Sequence, residues 1–257
     1  MRQSRDDEMF PSVMNDAAEI HHHLSSNDVL IIHSAFRGLS RAGYRAETFI
    51  DGLLTTLYNG TLLMPAMTWR QVTPEFPNFD ELQTTSETGA LSEVFRTQYA
   101  TDRSIHPTHS ATAYGTAAHA LTRDHHLGVT PCPPNSPFGR LADADALILL
   151  LGVGFECCTA IHCYEELVAP DLYMLPLEDA VTYSCTDRIG ITHRVCARRH
   201  RRLDRDFTKF EARLAEKGKL IRGELLGTNW LLCRAADLRD DVMLVLAERS
   251  DGTLLTS

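Results

Sequence analysis

Three short apolar runs constrain the fold of this chain more than any other feature of its sequence. They are Val29-Leu30-Ile31-Ile32, Thr61-Leu62-Leu63-Met64 and the wholly apolar stretch from Ala146 to Leu151. Runs of this length are typical of strands that are buried on both faces. Between the first two, apolar residues recur at helical spacing from Ala46 to Tyr58. A strand, a helix and a second buried strand predict an α/β fold with parallel strand pairs.

Other segments complete the predicted organisation. We expect helices from Pro11 to Leu24, from Ala90 to Gln98, and from about Phe207 to Gly218. The stretch from Asp237 to Glu248 fits a final helix, but its apolar residues are dense enough for a strand. The polar and proline-rich segments 66–88 and 127–138 predict long loops, which are often functional in compact domains. We expect one domain over residues 1–257, with residues 1–10 frayed.

Charge and cysteine content exclude several classes of protein. The formal net charge is −9, whereas nucleic-acid binders usually carry a basic surface. The sequence contains no run of 18 or more apolar residues, so we expect no membrane-spanning helix. The charged segment from Met1 to Glu8 does not resemble a secretory signal. Seven cysteines without regular spacing favour reduced thiols, so we expect a cytoplasmic protein that binds neither nucleic acid nor membrane. The oligomeric state, including a homodimer, stays open.

Two polar clusters lie where a ligand could bind. His33 and Ser34 directly follow the first apolar run, and in open α/β sheets the carboxyl ends of the strands form the ligand crevice. The segment from Arg103 to Ser110 contains one Arg, two His, two Ser and one Thr. A core segment rarely has so many polar groups, because each needs a partner. His33 and Ser34 could instead satisfy backbone groups at the end of the strand.

The segment that follows Gly152-Val153-Gly154 has the residue types of acid–base catalysis. On a helix, Thr159, His162 and Glu165 repeat every three residues, so that Glu165 can orient the His162 imidazole. The alternative is a helix start capped by Thr159. A nucleophilic cysteine is also conceivable, since Cys157, Cys158 and Cys163 lie nearby. No third ligand is spaced to complete a metal site with His162 and Glu165.

In their order along the chain, these clusters resemble those of the antibiotic N-acetyltransferase family, the aminoglycoside 3-N-acetyltransferases and their relatives. The resemblance runs from about Asn27 to about Ala236 and rests on matches to six family motifs. They are Asn27 to Ser34, Gly60-Thr61-Leu62-Leu63-Met64-Pro65, Gly89 to Arg96, Arg103-Ser104-Ile105-His106-Pro107 through Ser110, Ser136-Pro137-Phe138-Gly139, and Leu149 to Gly154 with Thr159-Ala160-Ile161-His162 and Glu165.

The resemblance implies an α/β/α sandwich around a central mixed, partly parallel sheet. It implies direct acetyl transfer from acetyl-CoA to an amine of a small molecule such as an aminoglycoside, a reaction associated with antibiotic resistance, with no metal. The matching positions suggest His162 as the base, Glu165 as its partner and Thr159 beside them. They suggest that coenzyme A contacts a second set of residues: His33, Ser34, Arg103, Ser104, Ser110 and Ser136.

One departure from the family concerns the acceptor. Relatives that modify aminoglycosides tend to be acidic before the late helix, whereas this chain has six arginines between Arg194 and Arg205. If these arginines border the acceptor pocket, a polycation would bind poorly. They could also face solvent or hold a phosphate of coenzyme A. Two other functions stay open: a hydrolase or acyltransferase with a Cys or Ser nucleophile, and a non-catalytic acyl-CoA-binding module.

Overall fold

The computed structural model describes residues 18–255. The strands in this part of the chain are β1 (Val29–Ser34), β2 (Thr61–Pro65), β3 (Asn78–Asp80), β4 (Asp102–Arg103), β5 (Ala111–Gly115), β6 (Leu147–Leu151), β7 (Val181–Thr186), β8 (Thr192–Ala197), β9 (Leu220–Leu225) and β10 (Thr228–Arg234). The α-helices are α1 (Ala18–His22), α2 (Arg37–Arg41), α3 (Ala46–Thr56), α4 (Ala90–Gln98), α5 (Ala118–Thr122), α6 (Ala160–Val168), α7 (Pro170–Tyr173), α8 (Lys209–Glu216) and α9 (Ala235–Glu248).

Seven strands form one central sheet in the order β4-β5-β2-β1-β6-β10-β9. Strand β1 pairs in parallel with both β2 and β6, and the outer pairs are antiparallel. The sheet is therefore mixed and partly parallel, as expected. All three apolar runs that were predicted to be strands are confirmed as its central strands. Their apolar pattern reflects this position, since a central strand of such a sheet is covered on both faces.

Helices cover both faces of this sheet, which confirms the α/β/α sandwich. Alternate residues of β1 enter opposite cores, since successive side chains of a strand point to opposite faces. Leu30 and Ile32 pack in the core that contains Phe49 of α3. Ile31 packs in the other core, with Leu238 of α9. All five of these side chains are 0–1% exposed.

A second sheet, which the sequence analysis missed, contains three strands in the order β3-β7-β8. Its small core includes Phe79, Tyr183 and Val195. Strand β3 lies inside the segment 66–88 that was predicted to be a loop. The outward-facing positions of β7 and β8 carry polar residues and arginine, so neither strand has the apolar pattern that marks the central sheet.

The predicted helices agree with the structure where it describes them. The helix predicted from Ala90 to Gln98 is α4, the one near Phe207 is α8, and the ambiguous stretch from Asp237 is the helix α9. Of the helix predicted from Pro11 to Leu24, the structure describes only α1, and residues 1–10, which we expected to be frayed, lie outside the described residues. Within residues 18–255 no helix has the length and apolar character needed to cross a membrane.

Candidate active site

A cavity of about 650 Å³ lies at the carboxyl ends of the parallel strands β1 and β6. His33 and Ser34 line it from the end of β1, and Val153 lines it from the segment after β6. Thr159 and His162 reach the same space from the start of α6. Parallel strands end at the same edge of a sheet, so these segments meet although they are far apart in sequence.

His162 has one ring nitrogen bound and one available to a reactant. Its Nδ1 lies 2.7 Å from Oε2 of Glu165, one helical turn further along α6. Because His162 also lines the cavity, Nε2 is the nitrogen that can accept a proton there. Burial lowers the pKa of His162 from its ordinary value of 6.5, His200 lowers it further, and Glu165 opposes both. The ring is therefore a neutral base near pH 7.

Glu165 is held by three partners in the interior, where its side chain is 0% exposed. Besides His162, its carboxylate accepts hydrogen bonds from Nε of Arg205 at 3.0 Å and from the hydroxyl of Thr253 at 2.5 Å. Burial alone would raise the pKa of Glu165, but the hydrogen bond from His162 and the charge of Arg205 hold it below its ordinary value. A charged carboxylate is thus fixed against the imidazole.

Thr159 begins α6 but does not cap it through its side chain. It occupies the N-cap position, and its hydroxyl makes no hydrogen bond to the backbone of the first turn. Thr159 is thus the N-cap residue by position, as the alternative interpretation expected, but its hydroxyl does not cap the helix. The Thr159 side chain lines the cavity beside His162 instead.

His33 and Ser34 lie in the cavity wall, where sequence reasoning placed them. The His33 ring is 6% exposed, and burial lowers its pKa to about 4, so the ring is neutral. Its Nε2 has no hydrogen-bond partner among the described residues. Ser34 lines this cavity and also an adjoining depression beside α2.

Four other residues predicted to contact coenzyme A lie in the interior and do not line the cavity. Arg103 is 5% exposed, and Ser104, Ser110 and Ser136 are 0% exposed. Arg103 donates to the carbonyls of Ala66, Glu81 and Thr84 and to the Ser110 hydroxyl. It therefore fixes the segment after β2 that forms one cavity wall. The hydroxyls of Ser104 and Ser136 accept backbone N–H groups, so all four organise loops in this structure.

The arginines between Arg194 and Arg205 do not line the cavity either. Arg198 binds Asp171 and the Leu175 carbonyl, and Arg201 donates to the Met174 carbonyl. Arg205 is committed to Glu165. Among the described residues that line the cavity, none is Lys or Arg, and two are glutamates: Glu87 and Glu156. The carboxylates of Glu87 and Glu156 are therefore the charged groups of this lining apart from its histidines.

Cavity thiols are present but are not activated. Cys157 and Cys158 line the cavity. Burial raises the pKa of Cys157 and raises that of Cys158 well above its ordinary value. A nucleophilic cysteine needs the opposite shift. Within residues 18–255 no group of three His, Cys, Asp or Glu side chains is arranged to hold a metal ion.

Sequence reasoning missed several cavity residues. His109 and Trp69 line the cavity, with their ring centroids 6.1 Å apart. The His200 ring lies with its centroid 4.6 Å from that of His162. His109 belongs to the polar segment from Arg103 to Ser110, and His200 belongs to the arginine run. No spacing in the sequence could show that the two converge on His162.

A groove of about 790 Å³ shares Val153 and Glu156 with the cavity and extends it toward solvent. Arg37 and Arg41 of α2 and Arg222 of β9 line it. Arg222 pairs with Glu211 at 3.2 Å. Arg37 and Arg41 are exposed and form no ion pair with any residue of the described segment. The groove can therefore attract an anion.

Fold and cavity together place this chain among α/β proteins in which a histidine–carboxylate pair faces a cavity at the strand ends. The family model described as aminoglycoside 3-N-acetyltransferase matches residues 31–247. The chain belongs to this family, which confirms the resemblance found in the sequence.

Individual relatives agree with this assignment. The chain is 28% identical over 178 residues to aminoglycoside N(3)-acetyltransferase VIII of Streptomyces fradiae, a match that covers 62% of each chain. It is 33% identical over 149 residues to aminoglycoside N(3)-acetyltransferase IV of a Salmonella species, covering 58% of this chain and 55% of the relative. The matches thus span little more than half of these curated relatives.

A solved structure extends the likeness of fold over nearly the whole chain. The AAC-IIIb binary complex with CoASH superposes with a TM-score of 0.76 at 23% identity. The superposition covers 96% of this chain and 98% of that one. At this level of identity the comparison establishes the shared fold.

Proposed function

We propose that this protein transfers the acetyl group of acetyl-CoA to an amine of a small cationic molecule, with His162 as the general base. The observation that carries the proposal is the His162–Glu165 pair. Its carboxylate is buried, and its histidine faces a cavity at the strand ends. Family membership supplies the reaction class, and the solved relative in complex with CoASH supports the donor.

The donor fits the cavity and the adjoining groove together. Coenzyme A has a phosphorylated nucleotide at one end and a thiol on a long arm at the other. Arg37 and Arg41 form no ion pair within residues 18–255, and guanidinium groups bind phosphate well. From there the arm can pass Val153 and Glu156, which line both spaces, and bring the thioester to His162. We assign the donor contacts to this path, with His33 and Ser34 at its inner end.

The proposed chemistry needs one base and no acyl-enzyme. The amine nitrogen attacks the thioester carbonyl carbon while Nε2 of His162 takes a proton from that nitrogen. The carbon–sulfur bond then breaks, the acetyl group stays on nitrogen as an amide, and the proton passes to the leaving thiolate. Glu165 orients the ring and stabilises its transient positive charge. An acceptor that enters as ammonium first loses one proton to solvent.

The acceptor is proposed to be cationic, in contrast to the expectation from the arginine run. Glu87 and Glu156 line the cavity, whereas no arginine of the run lines it, and Arg198 and Arg205 pair with carboxylates elsewhere. Trp69 offers an aromatic face, which suits a sugar ring or a cation. An aminoglycoside has both features, and the curated relatives are named for this class of substrate.

Free-thiol release from acetyl-CoA tests the proposal over a panel of amines: a multi-amine aminoglycoside, a monocationic amine and a zwitterionic amine. We expect the aminoglycoside to have the highest kcat/KM. His162→Ala should lower turnover by about two to four orders of magnitude and leave coenzyme A affinity nearly unchanged. His119→Ala is the matched control, because that side chain is 81% exposed and lies outside the cavity.

Other results would favour the two remaining functions. Wild-type turnover in His162→Ala would show that His162 is not the base. An acyl-enzyme trapped on Cys157 would support a nucleophilic mechanism. Coenzyme A binding without turnover of any amine would support a non-catalytic binding module.

A further inference from the structure

Helix α6 contains two consecutive buried glutamates, and each binds a histidine. Glu165 binds Nδ1 of His162, and Glu166 binds Nε2 of His200, with a distance of 2.7 Å in both pairs. The glutamate side chains are 0% and 3% exposed, respectively. The mechanism above uses only the first pair. The second therefore needs an explanation, since a buried carboxylate is costly unless its charge is compensated.

The two carboxylates differ in how they are compensated. Glu165 has the guanidinium of Arg205 at 3.0 Å, so it is neutralised whether or not His162 is protonated. Glu166 accepts the backbone N–H of Cys132 at 2.9 Å, which is a neutral donor. Among the ion pairs of residues 18–255, the only one that includes Glu166 is with His200.

We propose that the Glu166–His200 pair is held as carboxylate and imidazolium, and that its positive ring, packed against His162, keeps His162 in its neutral, proton-accepting form. His200 is then a positioning residue that acts on the base and not on the substrate. This inference depends on the proposed function only in naming His162 as the base. The charge arrangement itself depends on the fold alone.

Burial is the largest cause of the lowered pKa of His162, and His200 has the largest effect among the charged groups around the ring. The two ring centroids are 4.6 Å apart, and a like charge at that distance strongly disfavours protonation. Glu165, on the same helix, favours protonation, and Arg205 behind it opposes this. Phe207, with its ring centroid 5.1 Å from that of His162, adds no charge.

From the opposite wall, His109 contacts His200, with ring centroids 5.3 Å apart. Burial, followed by His200, lowers the pKa of His109 well below its ordinary value, so His109 contributes no positive charge near neutral pH. Glu156 and Glu87 also line the cavity and are the acidic groups that face it from the other elements. Of the groups in direct ring contact with His162, His200 is therefore the one that can bring a positive charge.

The consequence is a base that stays unprotonated in a cavity with an acidic lining. Carboxylates such as Glu87 and Glu156 attract a cationic amine but would also favour imidazolium at His162. A fixed positive charge on the far side of the ring counteracts that tendency. In this arrangement the ring of one histidine–glutamate pair is the neutral proton acceptor, and the ring of the neighbouring pair supplies the positive charge.

Side-chain NMR of protein with ¹⁵N-labelled histidine tests the charge states directly. In the wild type at pH 7 we expect both ring nitrogens of His200 to be protonated, and His162 to be neutral with its proton on Nδ1. Assignments come from the His162→Gln and His200→Gln spectra. A neutral His200 at pH 7, or a protonated His162, would overturn the proposal. This measurement needs no turnover.

Variants then test the coupling between the pairs. His200→Gln keeps a hydrogen-bond donor for Glu166 but removes the positive charge, so the pKa of His162 should rise by about one unit or more. Glu166→Gln removes the reason for the charge on His200 and should raise the pKa of His162 by less. His193→Gln is the matched control, because His193 forms a similar pair with Asp187 at 2.9 Å and lies outside the cavity.

The pH dependence of kcat/KM gives the kinetic readout. In His200→Gln the acid limb should move upward by the same amount as the pKa of His162, with the high-pH plateau largely recovered. A merely structural role would lower the plateau and leave the limb in place, which would refute the inference. If NMR shows the expected charges and the shift but no amine is acetylated, the proposed function fails while the charge assignment holds. If His200→Gln does not fold, Glu166→Gln and the wild-type spectra decide.

Discussion

Replacing Glu165 with Gln removes one negative charge from the interior with little change of shape. The Glu165 carboxylate accepts from His162, Arg205 and Thr253. A glutamine side chain has only one acceptor oxygen. Its NH₂ group would therefore face at least one of these three hydrogen-bond donors and could not accept from it. The Arg205 side chain, only 13% exposed, would lose its carboxylate partner.

The size of the effect follows from this burial. Removing one partner of a buried ion pair costs about 3–5 kcal/mol, and in chains of roughly this size 1 kcal/mol corresponds to about 2–4 °C in Tm. We therefore expect Glu165→Gln to lower Tm by about 6–20 °C at pH 7. Turnover should fall too, though by less than in His162→Ala, since the base remains but its orienting carboxylate is gone.

The pH dependence gives this prediction a sign. The pKa of Glu165 in the folded protein lies below its ordinary value of 4.5. A lowered pKa stabilises the fold above the unfolded-state value, and this contribution is lost as pH falls through the folded-state value. The difference in unfolding free energy between wild type and Glu165→Gln should therefore be largest near neutral pH and shrink below about pH 4.5.

Thermal unfolding at pH 7 measures the change in Tm, and urea unfolding at pH 7 and at pH 4 measures the difference in unfolding free energy, both followed by circular dichroism. Glu178→Gln is the control, because Glu178 is exposed and has no ion pair among the described residues. A Tm at pH 7 within 2 °C (roughly the error of such scans, and about 1 kcal/mol or less) would refute the stabilising role of the Glu165–Arg205 pair. An equal loss at both pH values would refute the charge argument.

Three further predictions concern separate parts of the molecule. The double variant Arg37→Ala/Arg41→Ala should raise KM for acetyl-CoA by about tenfold or more, equivalent to about 1.4 kcal/mol, with kcat within a few-fold of wild type; an unchanged KM would place the phosphates elsewhere. Asp241→Asn should cost about 1–2 kcal/mol in urea unfolding, because this buried carboxylate binds Arg213 at 2.8 Å, and solvent screening of the partly exposed arginine reduces the effect. Cys157→Ser should keep turnover within a few-fold, and mass spectrometry of wild type during turnover should detect no acyl adduct; an inactive variant together with an adduct would restore the nucleophile hypothesis.

Local sequence determined the centre of the fold. The runs from Val29, Thr61 and Ala146 could only be strands covered on both faces, and they are the parallel core of the sheet. The His162–Glu165 pair was also readable, because residues three apart on a helix are neighbours. By contrast, strands β7 and β8 were missed, since they are buried on one face only and polar residues interrupt their pattern.

Only the tertiary structure decided which polar residues face the cavity. Arg103 and Ser110 looked like ligand contacts, yet their polar atoms are used by loop carbonyls such as that of Ala66. Arg205 looked like part of a solvated run, yet it neutralises Glu165 across 40 residues of sequence. Composition shows that a segment is polar, but hydrogen bonds between distant segments determine which polar groups remain free for a ligand. The sequence therefore determined the three central strands and the helix that contains the His162–Glu165 pair, and the packing of loops around them decided the charge of the cavity and the partners of its histidines.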